Sequence, residues 1–356
     1  MKIHNFSAGP AILPRTVIEQ ASAALLDFNG SGLSLIEVSH RDRDFEGVMH
    51  EARAAVKRLL GLNDDYEVLY LQGGASLQFA MVPMNLLRPD GKASYLNTGT
   101  WATKAIEDAR KLGHVEVVGS SEDRNFSYIP SSYSIPSDAD YFHLTSNNTI
   151  FGTQIQTFPD CPIPMVCDMS SDIFSRPIPA NSFGLIYAGA QKNMGPAGTT
   201  LVIIRRDLVG HSARKLNAML DYGVHIKGES MYNTPPVFAV YVSMLTLQWI
   251  EAQGGLQAME ERNRAKAQLL YHEIQRNNLF RPTVTDHSGS MMNITFVLNH
   301  SEHESTFGPM LKEAGISGLK GHRSVGGYRA SMYNAMPIES VQVLVEVMQS
   351  LEHRLA

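Results

Sequence analysis

A chain of 356 residues suits about two domains, and with 44% apolar against 18% charged residues it can bury a large core. Its net charge of −5 gives no reason to expect nucleic acid or an anionic membrane as partner. Cys161 and Cys167 are too few for a disulfide framework and stand in no metal-ligand spacing. No stretch is apolar enough to span a membrane, and residues 1–10 lack the centre of a signal peptide, so the expectation is a soluble cytoplasmic protein without a metal.

Residues 1–14 read as an extended arm broken by Gly9-Pro10 and Pro14. A helix is predicted from about Thr16 to Phe28, ended by Gly30-Ser-Gly32. The loop Glu37-Val-Ser-His40-Arg41-Asp-Arg43 follows, with Arg43 read as structural. Phe45, Val48, Met49, Ala52, Val56, Leu59 and Leu60 keep the spacing of an amphipathic helix, closed by Gly61.

Strands and helices then alternate. Apolar strands are predicted at 67–71, 93–96, 115–118, 141–145, 165–167, 185–187 and 200–204, with helices at 77–87 and 102–112. That pattern predicts an α/β fold with a mostly parallel seven-stranded sheet between helices. In such sheets ligands sit beyond the carboxyl ends of the strands. Several polar turns fall there: Gly74-Ala75-Ser76, Asn147-Asn-Thr149, Asp168 and Gln191-Lys192. Helices at 231–252 and 260–276 flank a boundary near Gly254-Gly255. Strands at 293–298 and 328–332 and helices at 302–314 and 337–351 suit a smaller C-terminal α/β domain. The expected division is an arm at 1–15, a large domain at 16–254 and a small domain at 255–356.

The chemistry centres on the apolar run from Phe183 that ends in Gln191-Lys192. Two readings fit that lysine: a strand cap at the surface, or an amine held for chemistry. A second apolar run ends in Asp168, 24 positions earlier. A strand-end Asp with a strand-end Lys is the pairing that pyridoxal phosphate needs: the amine forms a Schiff base, and the acid keeps the ring nitrogen protonated. Gly73-Gly-Ala-Ser76 suits either a phosphate or an ordinary strand-to-helix turn. Trp101 suits either a stacking wall or core packing, and Thr149 either a ligand contact or a simple turn. His40-Arg41 and His322-Arg323, with Arg329, read singly as solvated surface; together with an interior lysine they point to a small substrate with two anionic groups. The cysteines read as inert, against a desulfurase.

With these residues assembled, the chain resembles the phosphoserine aminotransferases, class V members of the fold-type I pyridoxal-phosphate transferases. The matching segments are Asn5-Phe-Ser-Ala-Gly-Pro10, Ser39-His-Arg41, Gly73-Gly-Ala-Ser76, Asp168-Met-Ser-Ser, Ala190-Gln-Lys-Asn-Met-Gly-Pro196, Tyr232-Asn-Thr-Pro-Pro236 and the string from Gly321 to Ala335. The resemblance implies one pyridoxal 5′-phosphate per subunit, bound as a Schiff base to Lys192, with Asp168 on the ring nitrogen. It implies Trp101 stacked on the ring and Thr149 near its phenolic oxygen. Ala75, Ser76 and Gln191 would hold the phosphate, with Asn233 and Thr234 from the neighbouring subunit of a homodimer. Arg329 would grip the α-carboxylate. His40 and Arg41 of the neighbouring subunit, with His322 and Arg323, would bind the distal anion. Many members carry an Arg where this chain has Ala75-Ser76. The implied reaction is amino transfer between L-glutamate and the phosphorylated 2-oxo acid 3-phosphohydroxypyruvate in serine biosynthesis. Some bacterial relatives also serve vitamin B6 synthesis with a phosphorylated hydroxythreonine. The rivals are an alanine–glyoxylate type transaminase or related lyase, a cofactor-free Schiff-base aldolase, and a non-catalytic phosphometabolite-binding module.

Overall fold

The computed structural model describes residues 2–355. The arm contributes β1 (His4–Asn5), followed by α1 (Arg15–Leu26) and α2 (Arg43–Leu60). The start and stop of α2 are local chemistry. The Asp42 carboxylate accepts from the Asp44 N–H at 2.9 Å, and Gly61 takes the left-handed conformation, φ 60°, that ends the helix.

Seven strands form the main sheet: β2 (Tyr66–Leu71), β3 (Lys92–Asn97), β4 (His114–Ser120), β5 (Tyr141–Thr145), β6 (Met165–Asp168), β7 (Leu185–Gly189) and β8 (Thr200–Arg205). Their order is β2-β8-β7-β6-β5-β3-β4. Neighbours from β7 to β4 are parallel, while β8 runs antiparallel to both β2 and β7. The sheet is therefore mostly parallel, as the alternating pattern predicts. Alternate residues feed two cores. Val68, Phe142, Cys167 and Ile186 pack with α1, α2 and a later helix, and Leu69, Tyr141, Val166 and Tyr187 pack with α3 (Gly74–Leu86) and α4 (Thr100–Ala109). Burial on both faces is why these strands read as continuous apolar runs.

After β8 come α5 (Tyr222–Lys227), α6 (Val237–Ala252) and α7 (Gly255–Arg276), then β9 (Phe280–Pro282), β10 (Asn293–Leu298), α8 (Glu304–Glu313), β11 (Ile316–Ser317), β12 (Tyr328–Ser331) and α9 (Ile338–Leu355). The predicted helix from residue 231 begins only at Val237, because Pro235 and Pro236 disfavour helical backbone before them. A three-stranded antiparallel sheet, β12-β10-β9, carries a third core around Leu270, Phe296, Tyr328 and Leu344. Phe6 of the arm is buried in that core, and β1 pairs in parallel with β11. The arm thus ties the start of the chain to its last third, which its sequence did not foretell.

One glycine brings the two sheets together near the site. Gly152 has φ 79°, and a Cβ there would run into the Thr295 side chain of β10. Thr295 Oγ1 donates to the Phe151 carbonyl at 3.0 Å, fixing the loop that follows β5 against β10.

Candidate active site

Register brings Thr145, Asp168 and Tyr187 level across β5, β6 and β7. Beyond those strand ends lies a cavity of about 330 Å³. Of the residues singled out in the sequence, Ala75, Ser76, Trp101, Thr149, Asp168, Gln191, Lys192, His322 and Arg329 all line it.

Lys192 follows β7 on a tight turn, in which its own N–H donates to the Ala190 carbonyl at 2.7 Å and that of Gly195 at 2.8 Å. Its neighbour Asn193 is buried, accepting from the Asn334 N–H at 3.0 Å and donating to the Ile173 carbonyl at 3.1 Å. The backbone is thus held from behind while the amine faces the cavity. Burial pushes the amine down to about 8, with Arg329 adding to the effect and Asp168 and Asp172 opposing it. The neutral amine is the nucleophile, so it is plentiful above pH 8 and scarce below. In protein stripped of cofactor, the rate of pyridoxal phosphate capture should rise about tenfold per pH unit up to about 8 and then level. Stopped-flow absorbance measures this; a rate still climbing at pH 10 would mean an ordinary lysine.

Asp168 is buried and accepts from the Ser170 N–H at 2.9 Å. Burial raises its pKa, opposed by the Ser170 bond and by Lys192. A second carboxylate, Asp172, was missed by sequence reasoning. It accepts from Ser146 Oγ and, at 3.1 Å, from Gln154 Nε2, with Arg176 3.9 Å away. The only signal was the i, i+4 spacing of Asp168, Asp172 and Arg176, in a stretch that reads as loop.

Trp101 Nε1–H donates to Thr149 Oγ1 at 3.0 Å, which sets the indole as one wall of the cavity. Arg329 Nη1 donates to the Thr149 carbonyl at 3.0 Å, and its buried Nε has no partner among the described residues. His322 is held below its ordinary pKa by partial burial, then by Arg329, Arg323 and Lys104. Lys104 was not foreseen; its Nζ lies 5.2 Å from the centroid of Trp101. At the other end, Gly73 and Gly74 have φ 89° and 65° and lead into α3, whose first amides have no partner within the helix.

The remaining predicted residues are not in the cavity. His40 and Arg41 lie on the loop before α2, with Arg41 exposed and the buried Nε2 of His40 unpartnered among the described residues. Asn233 and Thr234 lie in the stretch before α6; Asn233 Nδ2 donates to Gln72 Oε1 at 3.2 Å, and its buried Oδ1 has no partner among the described residues. Arg323 is exposed and outside the lining.

These residues fit pyridoxal phosphate. One cavity holds a lysine amine of lowered pKa, a buried carboxylate, an aromatic wall and a helix start suited to a phosphate. Arg329, with an unsatisfied buried donor, suits a carboxylate in the same space.

Residues 3–344 match the family model described as aminotransferase class-V. The phosphoserine aminotransferase of Flavobacterium johnsoniae is 62% identical to the chain, covering 99% of it and 100% of the relative. The solved phosphoserine aminotransferase from Bacillus circulans subsp. alkalophilus is 47% identical with a TM-score of 0.97, over 100% of this chain and 99% of that one. The pyridoxal-phosphate-bound phosphoserine aminotransferase from Trichomonas vaginalis is 37% identical with a TM-score of 0.92, over 98% of this chain and 100% of that one.

Proposed function

The chain belongs to the class-V aminotransferases, and from that we infer that it transfers the amino group of L-glutamate to 3-phosphohydroxypyruvate, giving O-phospho-L-serine and 2-oxoglutarate. The observation that carries the reading is the convergence of Lys192, Asp168, Arg329 and His322 on one cavity. Pyridoxal phosphate supplies an aldehyde that condenses with amines and a cationic ring that takes up the electron pair left when a Cα proton departs.

The chain's own residues do the rest. Lys192, its amine pushed down to about 8, would hold the cofactor as a Schiff base, and its freed amine would take the proton from the substrate Cα and give it up again as general base and acid. Asp168 would keep a proton on the ring nitrogen. Trp101 would pack against the ring, and Thr149 would offer its hydroxyl to the ring's oxygen. Ala75, Ser76 and Gln191 would hold the cofactor phosphate, and with no arginine in the turn, backbone and hydroxyl donors would carry that contact. Arg329 pairs with the substrate α-carboxylate through a two-pronged guanidinium contact. Glutamate's side-chain carboxylate and the phosphate ester use the same cationic end in alternate half-reactions, with His322 and Arg323 on this chain.

The active unit in this reading is a homodimer with shared sites. His40 and Arg41 are donors that the single chain leaves outside the cavity, and Asn233 and Thr234 likewise lie outside its lining. Asn233 and Thr234 of one chain would complete the phosphate site of the other, and His40 and Arg41 its distal-anion site. The reading also keeps an arm at 1–15 and a boundary at Gly254–Gly255, supported by the separate core around β10 and α9. Among the described residues no helix is long and apolar enough to cross a membrane; a cytoplasmic location goes with a pathway that uses soluble phosphorylated acids.

The test is a half-reaction screen following cofactor absorbance with O-phospho-L-serine, L-glutamate, alanine and serine. The first two should convert the cofactor and the last two should not; conversion by alanine alone would favour the alanine–glyoxylate type. Arg41→Ala should weaken O-phospho-L-serine and glutamate alike, by about 2–5 kcal/mol. Mixed with an inactive Lys192→Ala variant, Arg41→Ala should regain activity, because one site of each hybrid dimer is intact. No recovery on mixing would show that the sites are not shared.

A further inference from the structure

A second cavity, of about 380 Å³, lies between α6, α7 and the turn from β12 into α9. Arg262 and Lys266, one helical turn apart on α7, both line it. Trp249, Met336 and Pro337 form apolar walls, and Glu339 stands at the exposed rim. Lys266 is only 1% exposed. Its Nζ donates to the Met332 carbonyl at 2.9 Å and the Tyr333 carbonyl at 2.7 Å. An ammonium carries three N–H groups, so one is left over. The ion pairs of α7 are Arg264–Glu260 and those of Arg276 with Glu273 and Glu352; among the described residues neither Lys266 nor Arg262 has one. Burial, and then Arg262 beside it, push the Lys266 amine down to about 7. Lys266 thus sits buried at a largely apolar cavity with no anion paired to it among the described residues, which is costly for its charged form unless a counter-charge arrives, and the exposed Arg262 stands at the mouth of the same cavity.

We propose that this cavity binds a small organic anion, a monocarboxylate on an apolar body, with the carboxylate between Lys266 and Arg262 and the body against Trp249. The site is joined to the catalytic lysine through the backbone. Lys266 holds the carbonyls of Met332 and Tyr333, the next residue Asn334 donates its N–H to Asn193 Oδ1 at 3.0 Å, and Asn193 adjoins Lys192. The Tyr333 hydroxyl donates to the Ala8 carbonyl at 2.7 Å, and Ala8 lines the catalytic cavity. An occupant of the second cavity therefore bears on the segment that braces Lys192 from behind.

The chain has two tryptophans, so holoenzyme carrying Trp101→Phe reports from Trp249 alone. Titration with 4-phenylbutyrate should give a saturable change in its emission, with the uncharged 4-phenylbutanol about tenfold weaker or more. Lys266→Met should weaken the carboxylate by about tenfold, and Arg262→Gln by a smaller factor of about threefold. Equal binding of acid and alcohol, no saturation, or unchanged affinity in the variants would each overturn the proposal. Should Lys266→Met fail to fold, Arg262→Gln and the acid–alcohol comparison decide it.

Discussion

Lys192→Ala is expected to lower turnover by about 10⁴-fold or more and to abolish the visible absorbance that pyridoxal phosphate acquires on joining the protein. The size follows from two losses at once. The variant has no amine to capture the cofactor, and it has no base of pKa near 8 to move the Cα proton. General acid–base catalysis alone is worth about 10²–10⁴-fold, and the lost covalent attachment adds to it. Single-turnover absorbance with O-phospho-L-serine measures both. Wild-type protein that stays colourless with added pyridoxal phosphate would remove the whole assignment. A variant that keeps the absorbance would move the attachment to another lysine. The other buried candidate, Lys266, is tied to two backbone carbonyls and lines a different cavity.

Asp168→Asn should leave cofactor capture intact but slow amino transfer by about 10²–10³-fold, the usual cost of removing one preorganised charged partner from the developing charge. The amide is nearly the size of the carboxylate, and its oxygen can still accept from the Ser170 N–H, so the fold should persist. It cannot stabilise a proton on the ring nitrogen. Asp168 also acts on Lys192, holding the amine's pKa up against burial and Arg329. With that charge removed, the lysine's pKa should fall further below 8, and the midpoint of the capture profile should move to lower pH. A capture midpoint that stays in place would show that Asp168 does not act on Lys192, and turnover near wild type would show that it does not serve the ring. The two variants fail differently, one in capture and one in electron withdrawal, and absorbance tells them apart.

How much of this was legible beforehand depends on range along the chain. Lys192 and Asp168 were legible because each ends a run of buried-strand residues, and a hydrated group at such a place is either a lapse or a tool. Trp101, Thr149 and Ser76 were legible only as turn residues at strand ends, each with an ordinary alternative. Asp172 was not legible. Apart from Arg176 on its own loop, its partners Ser146 and Gln154 come from the loop after β5, which approaches only once β5 and β6 pair. The pairing of β1 with β11 joins segments more than 300 residues apart through two-residue strands, too short to carry any periodicity.

By itself the sequence determined the alternation of strands and helices, the capped start and glycine stop of α2, and the kinds of side chain available for chemistry. These are local properties, set by apolar period, capping and turn residues within a few positions of one another. The tertiary structure decided the rest. It set β8 antiparallel in a mostly parallel sheet, brought the ends of β5, β6 and β7 level, and closed Arg329 and His322 over them from the last third of the chain. It also decided the state of the amine. A lysine's pKa falls towards 8 only where packing strips its water and a guanidinium stands near, and both are properties of the folded chain.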